Sequence, residues 1–196
     1  MKRFCVFCGS SPGARPEYLE TARQLGQCLV ENNIGLVYGG GNVGMMGEIA
    51  HIVMQHGGNV TGVIPRFLAE KEVVLEDVTE LHIVDSMHER KALMAELSDG
   101  FIAMPGGFGT IEEIFEVFTW AQLGLHEKPC GFLNICGYYD AMLTFLHHAI
   151  EEQFIKAEYR GIVLLGNDSQ SLLEKFKAYQ PVKVDKAKWA LGLKNS

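Results

Sequence analysis

The sequence runs to 196 residues, 47% of them hydrophobic and 21% charged, with a formal net charge of -7. That length suits one α/β domain with a full core. The acidic balance excludes a general nucleic-acid footprint, which needs a basic face, and no apolar stretch is long enough to span a bilayer.

Taken in order, residues 2–8 form an apolar run that predicts a buried strand, closed by the small, hydroxyl-rich turn Cys8-Gly9-Ser10-Ser11-Pro12-Gly13. A helix follows from about Pro16 to Glu31, with Pro16 in its first turn. Ile34 to Tyr38 is a second strand, and the glycines from Gly39 to Gly47 open a helix that reaches about His56. Asn59 to Ile64 is a third strand, Pro65 to Val74 a loose charged segment, and Thr79 to Val84 a fourth strand. Ser86 to Leu97 predicts a helix with Ser86 and Glu89 as a capping box. A strand from Gly100 to Met104, a glycine-rich turn and a helix from Thr110 to about Gly124 come next. Pro129 to Asn134, Tyr139 to Phe154, Ile162 to Leu165 and Ser169 to Tyr179 complete the strand–helix alternation.

Such alternation predicts one doubly wound, Rossmann-like α/β domain over residues 1–180. It should hold about seven parallel strands with helices on both faces and a peripheral polar tail over 181–196. Ligands in such sheets bind outside the carboxyl ends of the strands, and the loops at Gly9, Gly39, Ser86 and Gly106 all fall there. Met1-Lys2-Arg3 precedes only a short apolar run, so no signal peptide is read and a cytoplasmic location is expected. The five cysteines are read as free thiols. Cys5-x-x-Cys8 lies on a strand, where residues three apart face opposite ways; no metal site is expected.

The chain is organised around Met104-Pro105-Gly106-Gly107-Phe108-Gly109-Thr110-Ile111-Glu112-Glu113. A strand, a glycine turn and a helix N-terminus together make an anion site, because free N–H groups and the helix dipole point at the ligand. A phosphate is the expected guest, and Ser10, Gly40, Gly41, Gly107, Gly109 and Thr110 are its candidate contacts. Glu113 has two readings: a catalytic carboxylate, or the far half of a T-x-x-E capping box with Thr110. The sequence alone weighs them equally.

Gly39-x-Gly41-x-x-Gly44 matches a dinucleotide fingerprint, yet it follows the second strand, and Thr61 to Pro65 hold no acid for a ribose hydroxyl. A nicotinamide cofactor is not supported. Arg90 and Lys91 place two cations beside the turn, and the Arg90 fork can hold a phosphate or a carboxylate. His82, His88 and His126 are assigned no role.

With Met87-His88-Glu89-Arg90-Lys91 upstream, Pro105 to Glu113 reads as PGGxGTxxE, and the chain closely resembles the LOG ("Lonely guy") family. These are cytokinin riboside 5'-monophosphate phosphoribohydrolases, long mislabelled as lysine decarboxylases. The likeness extends from the Cys5–Ser11 segment to Asn134-Ile135-Cys136-Gly137-Tyr138-Tyr139. It implies an enzyme that hydrolyses the N-glycosidic bond of a purine nucleoside 5'-monophosphate, giving free base and ribose 5-phosphate, with no cofactor. It implies Arg90 and Glu113 as the catalytic pair. Gly106, Gly107, Phe108, Gly109, Thr110, Ile111, Glu112, Lys91, Thr119 and Glu72 fall on substrate-contacting positions. Two other classes stay open: a nucleotide-binding carrier on the same fold, and a pyridoxal-phosphate decarboxylase. The helix after Thr110 carries apolar residues on more than one face, from Ile111 and Phe115 to Trp120 and Leu123. With the resemblance, that predicts a homodimer.

Overall fold

The computed structural model describes residues 2–71 and 74–182. Seven strands form one sheet: β1 (Lys2–Phe7), β2 (Ile34–Tyr38), β3 (Val60–Pro65), β4 (Glu80–Val84), β5 (Gly100–Ala103), β6 (Cys130–Leu133) and β7 (Val163–Gly166). The helices are α1 (Pro16–Glu31), α2 (Gly44–Gln55), α3 (Arg66–Ala69), α4 (Met87–Glu96), α5 (Phe108–Leu123), α6 (Asp140–Glu151) and α7 (Ser169–Ala178). The strand order is β4-β3-β2-β1-β5-β6-β7, and every neighbouring pair is parallel.

A parallel sheet covered on both faces needs apolar side chains on both sides of each strand, which is why its strands read as continuous apolar runs. In β1, Phe4, Val6 and the following Cys8 join a core with Leu25 and Leu29 of α1, Ile49 and Val53 of α2 and Phe176 of α7. Cys5 and Phe7 join the opposite core, with Met94 of α4, Ile114, Val117 and Phe118 of α5 and Leu146 of α6. The two cysteines of the C-x-x-C therefore face different layers, as a period of two requires. Among the described residues, no helix is long and apolar enough to cross a membrane.

The elements lie close to where the hydrophobic pattern placed them, with two corrections. The central helix begins at Phe108 instead of Thr110, and its N-cap is Gly107. The segment after β3 is less loose than its charge suggested. It opens with the short α3, then folds back so that Val74 bridges to Gly41 and the Leu75 N–H donates to the Gly40 carbonyl at 3.3 Å. Ser86 does cap α4, accepting from the Glu89 N–H at 3.1 Å, while Glu89 accepts from the Asp85 N–H, one residue before the cap.

Candidate active site

The sheet order reverses between β1 and β5, the two strands from which the chain winds in opposite directions. In an open α/β sheet, the crevice beyond the carboxyl ends of such a strand pair is where ligands bind. A cavity of about 310 Å³ occupies that place. The β1 loop supplies Gly9, Ser10, Ser11 and Gly13, the β5 loop Pro105, Gly106 and Gly107, and Tyr18, Met45 and Tyr138 complete the wall. The two loops are tied together where the Gly9 N–H donates to the Pro105 carbonyl at 3.1 Å.

The 16-residue α5 starts at this wall, and no side chain caps it. Its first N–H groups have no partner within the helix. Together with the helix dipole they offer the cavity donors and partial positive charge. This disposes of the capping reading of Glu113. Gly107 is the N-cap, Thr110 lies inside the first turn, and the Glu113 side chain points into the protein interior.

There it meets Arg90. Arg90 Nη1 donates to Glu113 Oε1 at 2.9 Å, and Arg90 Nε donates to the Val63 carbonyl at 3.1 Å. Arg90 and Glu113 are 9% and 8% exposed. Burial pushes the Glu113 carboxyl above its ordinary value, and the Arg90 charge pulls back against that shift. The outcome is a carboxylate–guanidinium pair held one turn into the helix that borders the cavity. Buried acids whose pKa is raised by desolvation beside a specific charge partner cluster at functional sites.

The glycine turn after β2 serves this pair. A Cβ at Gly39 would overlap the Arg90 guanidinium, so glycine leaves the space that the arginine fills. The first glycine of the supposed dinucleotide fingerprint is thus occupied by the protein's own cation. Gly40 and Gly41 are buried beneath the returning segment and are not part of the cavity lining. Ser10, Gly106 and Gly107 do line it. Thr110 is buried under Gly106, where a Cβ would overlap the threonine side chain and the Gly9 N–H. Gly109 and Phe108 are exposed, Phe108 to 94%, and are not part of the cavity lining.

Lys91 does not stand free. Its ammonium pairs with Glu112 and, at 3.2 Å, with Glu116, both one α5 surface away from the buried pair. Ile111 is half-buried. Thr119 lies further along α5, exposed, its hydroxyl donating to the Phe115 carbonyl at 2.8 Å. Glu72 lies outside the described residues. Sequence reasoning missed Gly39 as the seat of Arg90, and it missed the two tyrosines after β6. Tyr139 donates to the Met104 carbonyl and Tyr138 to the Gly106 carbonyl, each at 2.6 Å. The tyrosine pair adjoining a glycine turn was visible, but nothing in sequence spacing connects residue 138 to residue 106.

The adjacent glycines give a test. Gly107 has φ -90° and ψ -154°, which alanine tolerates, and a Cβ there meets nothing within 4 Å. Gly107→Ala should hold stability within about 0.5 kcal/mol while placing a methyl where a ligand must approach, so ligand binding and turnover should fall. Gly106→Ala should instead lower stability by about 1–3 kcal/mol through overpacking. Thermal melts and turnover of both variants check the contrast.

Fold and site first define a class: a doubly wound α/β protein with a crevice at its switch point, an uncapped helix N-terminus at the crevice wall and a buried Arg90–Glu113 ion pair reaching that helix. A protein-family model described as possible lysine decarboxylase matches residues 46–176. A probable cytokinin riboside 5'-monophosphate phosphoribohydrolase of Oryza sativa subsp. japonica is 51% identical over 180 residues, covering 92% of this chain and 72% of its own. A cytokinin riboside 5'-monophosphate phosphoribohydrolase of Arabidopsis thaliana is 48% identical, covering 98% of this chain and 86% of its own. The chain belongs to the LOG family, the family of these phosphoribohydrolases. In fold it is also similar to a molybdenum cofactor binding protein of Rippkaea orientalis, with a TM-score of 0.68 at 22% identity over 91% of this chain and 97% of that one.

Proposed function

We propose that this chain hydrolyses the N-glycosidic bond of a purine nucleoside 5'-monophosphate, of the cytokinin or adenosine type, to free base and ribose 5-phosphate. The observation that carries the reading is the buried Arg90–Glu113 pair set beside an uncapped helix N-terminus at the sheet's switch point. Breaking the bond builds positive charge on the ribosyl ring, as in other oxocarbenium-like reactions. The Glu113 carboxylate stabilises that charge or takes a proton from the attacking water. Arg90 holds the carboxylate in place and keeps it ionised against the pull of burial. The 5'-phosphate sits on the N–H groups of the β5–α5 turn and the hydroxyl-rich β1 turn. Remote binding energy of this kind orients the sugar over the acid, and losing it lowers kcat as well as raising KM.

The test of this reading is the substrate's phosphate. AMP and its N6-prenylated form should be cleaved far faster than the corresponding nucleosides, by about a hundredfold or more in kcat/KM, with base release read by chromatography. Equal turnover of adenosine and AMP would remove the phosphate site from the account. A carrier on the same fold would bind the nucleotide and release no base.

We further propose that the enzyme works as a homodimer. Phe115 and Trp120 of α5 remain half-buried, and Leu123, Leu125, Phe145 and Phe154 are exposed, an apolar burden that a monomer seldom leaves in water. Trp120→Glu should then lower association and activity together, because α5 also carries Glu113. Light scattering at micromolar concentration checks the first point, and a strict monomer of the unaltered protein ends the proposal.

A further inference from the structure

We propose that Tyr138 is a positioning residue that commits the phosphate-binding turn to presenting donors; this rests on the reading of the cavity as the 5'-phosphate site. Three successive carbonyls of the turn are each taken by the protein. Met104 accepts from the Tyr139 hydroxyl, Pro105 from the Gly9 N–H, and Gly106 from the Tyr138 hydroxyl. The first is held by the buried Tyr139 and the second by the backbone of the β1 loop. Among the described residues, the third is held by the hydroxyl of Tyr138, a side chain 41% exposed that itself lines the cavity.

That third contact decides the polarity of the wall. In a planar trans peptide the C=O and the next N–H point in opposite directions. Fixing the Gly106 carbonyl on Tyr138 therefore fixes the Gly107 N–H on the other side. The peptide joins two glycines, so little but hydrogen bonding resists its rotation, and a Cβ at Gly107 would meet open space. Released from Tyr138, the Gly106 carbonyl can turn and offer an anion an acceptor in place of a donor. The tyrosine is itself well supported. Its ring packs edge-on against Tyr18 at 5.9 Å and against Tyr139 at 4.9 Å. Behind them, Asn134 accepts from the Tyr139 N–H at 2.7 Å and donates to Asp140 at 2.7 Å. The β6–α6 connection thus acts as a brace for the β5–α5 turn.

Tyr138→Phe keeps both ring contacts and removes only the hydroxyl, so it isolates the hydrogen bond. Calorimetric titration with ribose 5-phosphate reads the site without turnover. The variant should bind it about tenfold more weakly than the unaltered protein. KM for AMP should rise by a similar factor. Ribose 5-phosphate affinity equal to that of the unaltered protein, with or without a loss of turnover, overturns the inference. Unaltered protein that binds ribose 5-phosphate but releases no base from AMP would remove the proposed catalysis while leaving the inference standing on the binding contrast. If the unaltered protein does not bind ribose 5-phosphate, both fall.

Discussion

Glu113→Gln should leave a folded protein with turnover reduced by about a hundredfold or more, the scale of a lost acid–base group. Glutamine is nearly the same shape and can still accept from Arg90 Nη1 through its amide oxygen, so the buried contact at 2.9 Å survives in neutral form. The stability change should be on the order of 1–2 kcal/mol. The variant also gives up the desolvation of a carboxylate, whose burial pushes its pKa upward. Its stability should therefore vary less with pH than that of the unaltered protein. Substrate binding, governed by the turn and the phosphate, should change far less than kcat. A stable Glu113→Gln protein with normal turnover would leave the carboxylate without a catalytic part.

Arg90→Met should be the most disruptive single change to the site, and its effect should depend on pH. The substitution removes the Val63 contact and leaves Glu113 buried without its partner. Breaking a buried pair from one side costs about 3–5 kcal/mol when the remaining charge stays ionised. Glu113 escapes part of that cost by holding a proton. Its folded pKa already lies above the ordinary glutamate value of about 4.3, and losing Arg90, which lowers it, raises it further. A carboxyl raised on folding contributes its full stability below the unfolded pKa and loses it as pH rises through the folded one. The variant should accordingly lie nearest the unaltered protein in stability at mildly acid pH and fall behind as pH rises. The acid limb of its residual activity should move to higher pH for the same reason. Urea denaturation at several pH values checks the first expectation, and a destabilisation independent of pH would contradict it.

Much of the fold was legible because a doubly wound sheet writes itself plainly. Strands such as Ile34–Tyr38 and Gly100–Ala103 are buried on both faces, so they read as short apolar runs between glycine turns. The site was legible in its parts but not in its joints. On α5, Ile111, Ile114, Phe115 and Phe118 stand at i, i+3, i+4 and i+7, the spacing of an apolar stripe. The buried positions are Thr110, Glu113, Ile114, Val117 and Phe118. Glu113 lies in the core-facing stripe, and a polarity-based reading moves an acid to the surface and shifts the phase of the helix with it. Thr110–Glu113 looked like a cap because its T-x-x-E spacing matches a capping box, whereas the N-cap is Gly107. An acid at a core-facing spacing was the signal available, since such a group needs a buried partner.

The partner could not be read from spacing. Arg90 reaches Glu113 from another helix, through the gap that Gly39 leaves on a third element. Tyr138 reaches Gly106 across 32 positions of sequence. Such contacts follow from the order of strands in the sheet, with β1 and β5 adjacent and β2 and β6 beyond them. The glycine triad shows the converse. Gly40 and Gly41 looked like phosphate contacts by composition, and the chain uses them to pass beneath the segment that returns at Val74 and Leu75.

The central claim is that this chain splits a nucleoside 5'-monophosphate by water, with Glu113 acting in the step. Its most direct test is a side-by-side incubation of the unaltered protein and Glu113→Gln with AMP and with N6-prenyl-AMP, measuring base and ribose 5-phosphate in the same samples. The account predicts equimolar base and ribose 5-phosphate from at least one of the two nucleotides with the unaltered protein, and nearly none with the variant over the same time. Binding without either product, base without matching ribose 5-phosphate, or equal product from the two proteins would contradict it.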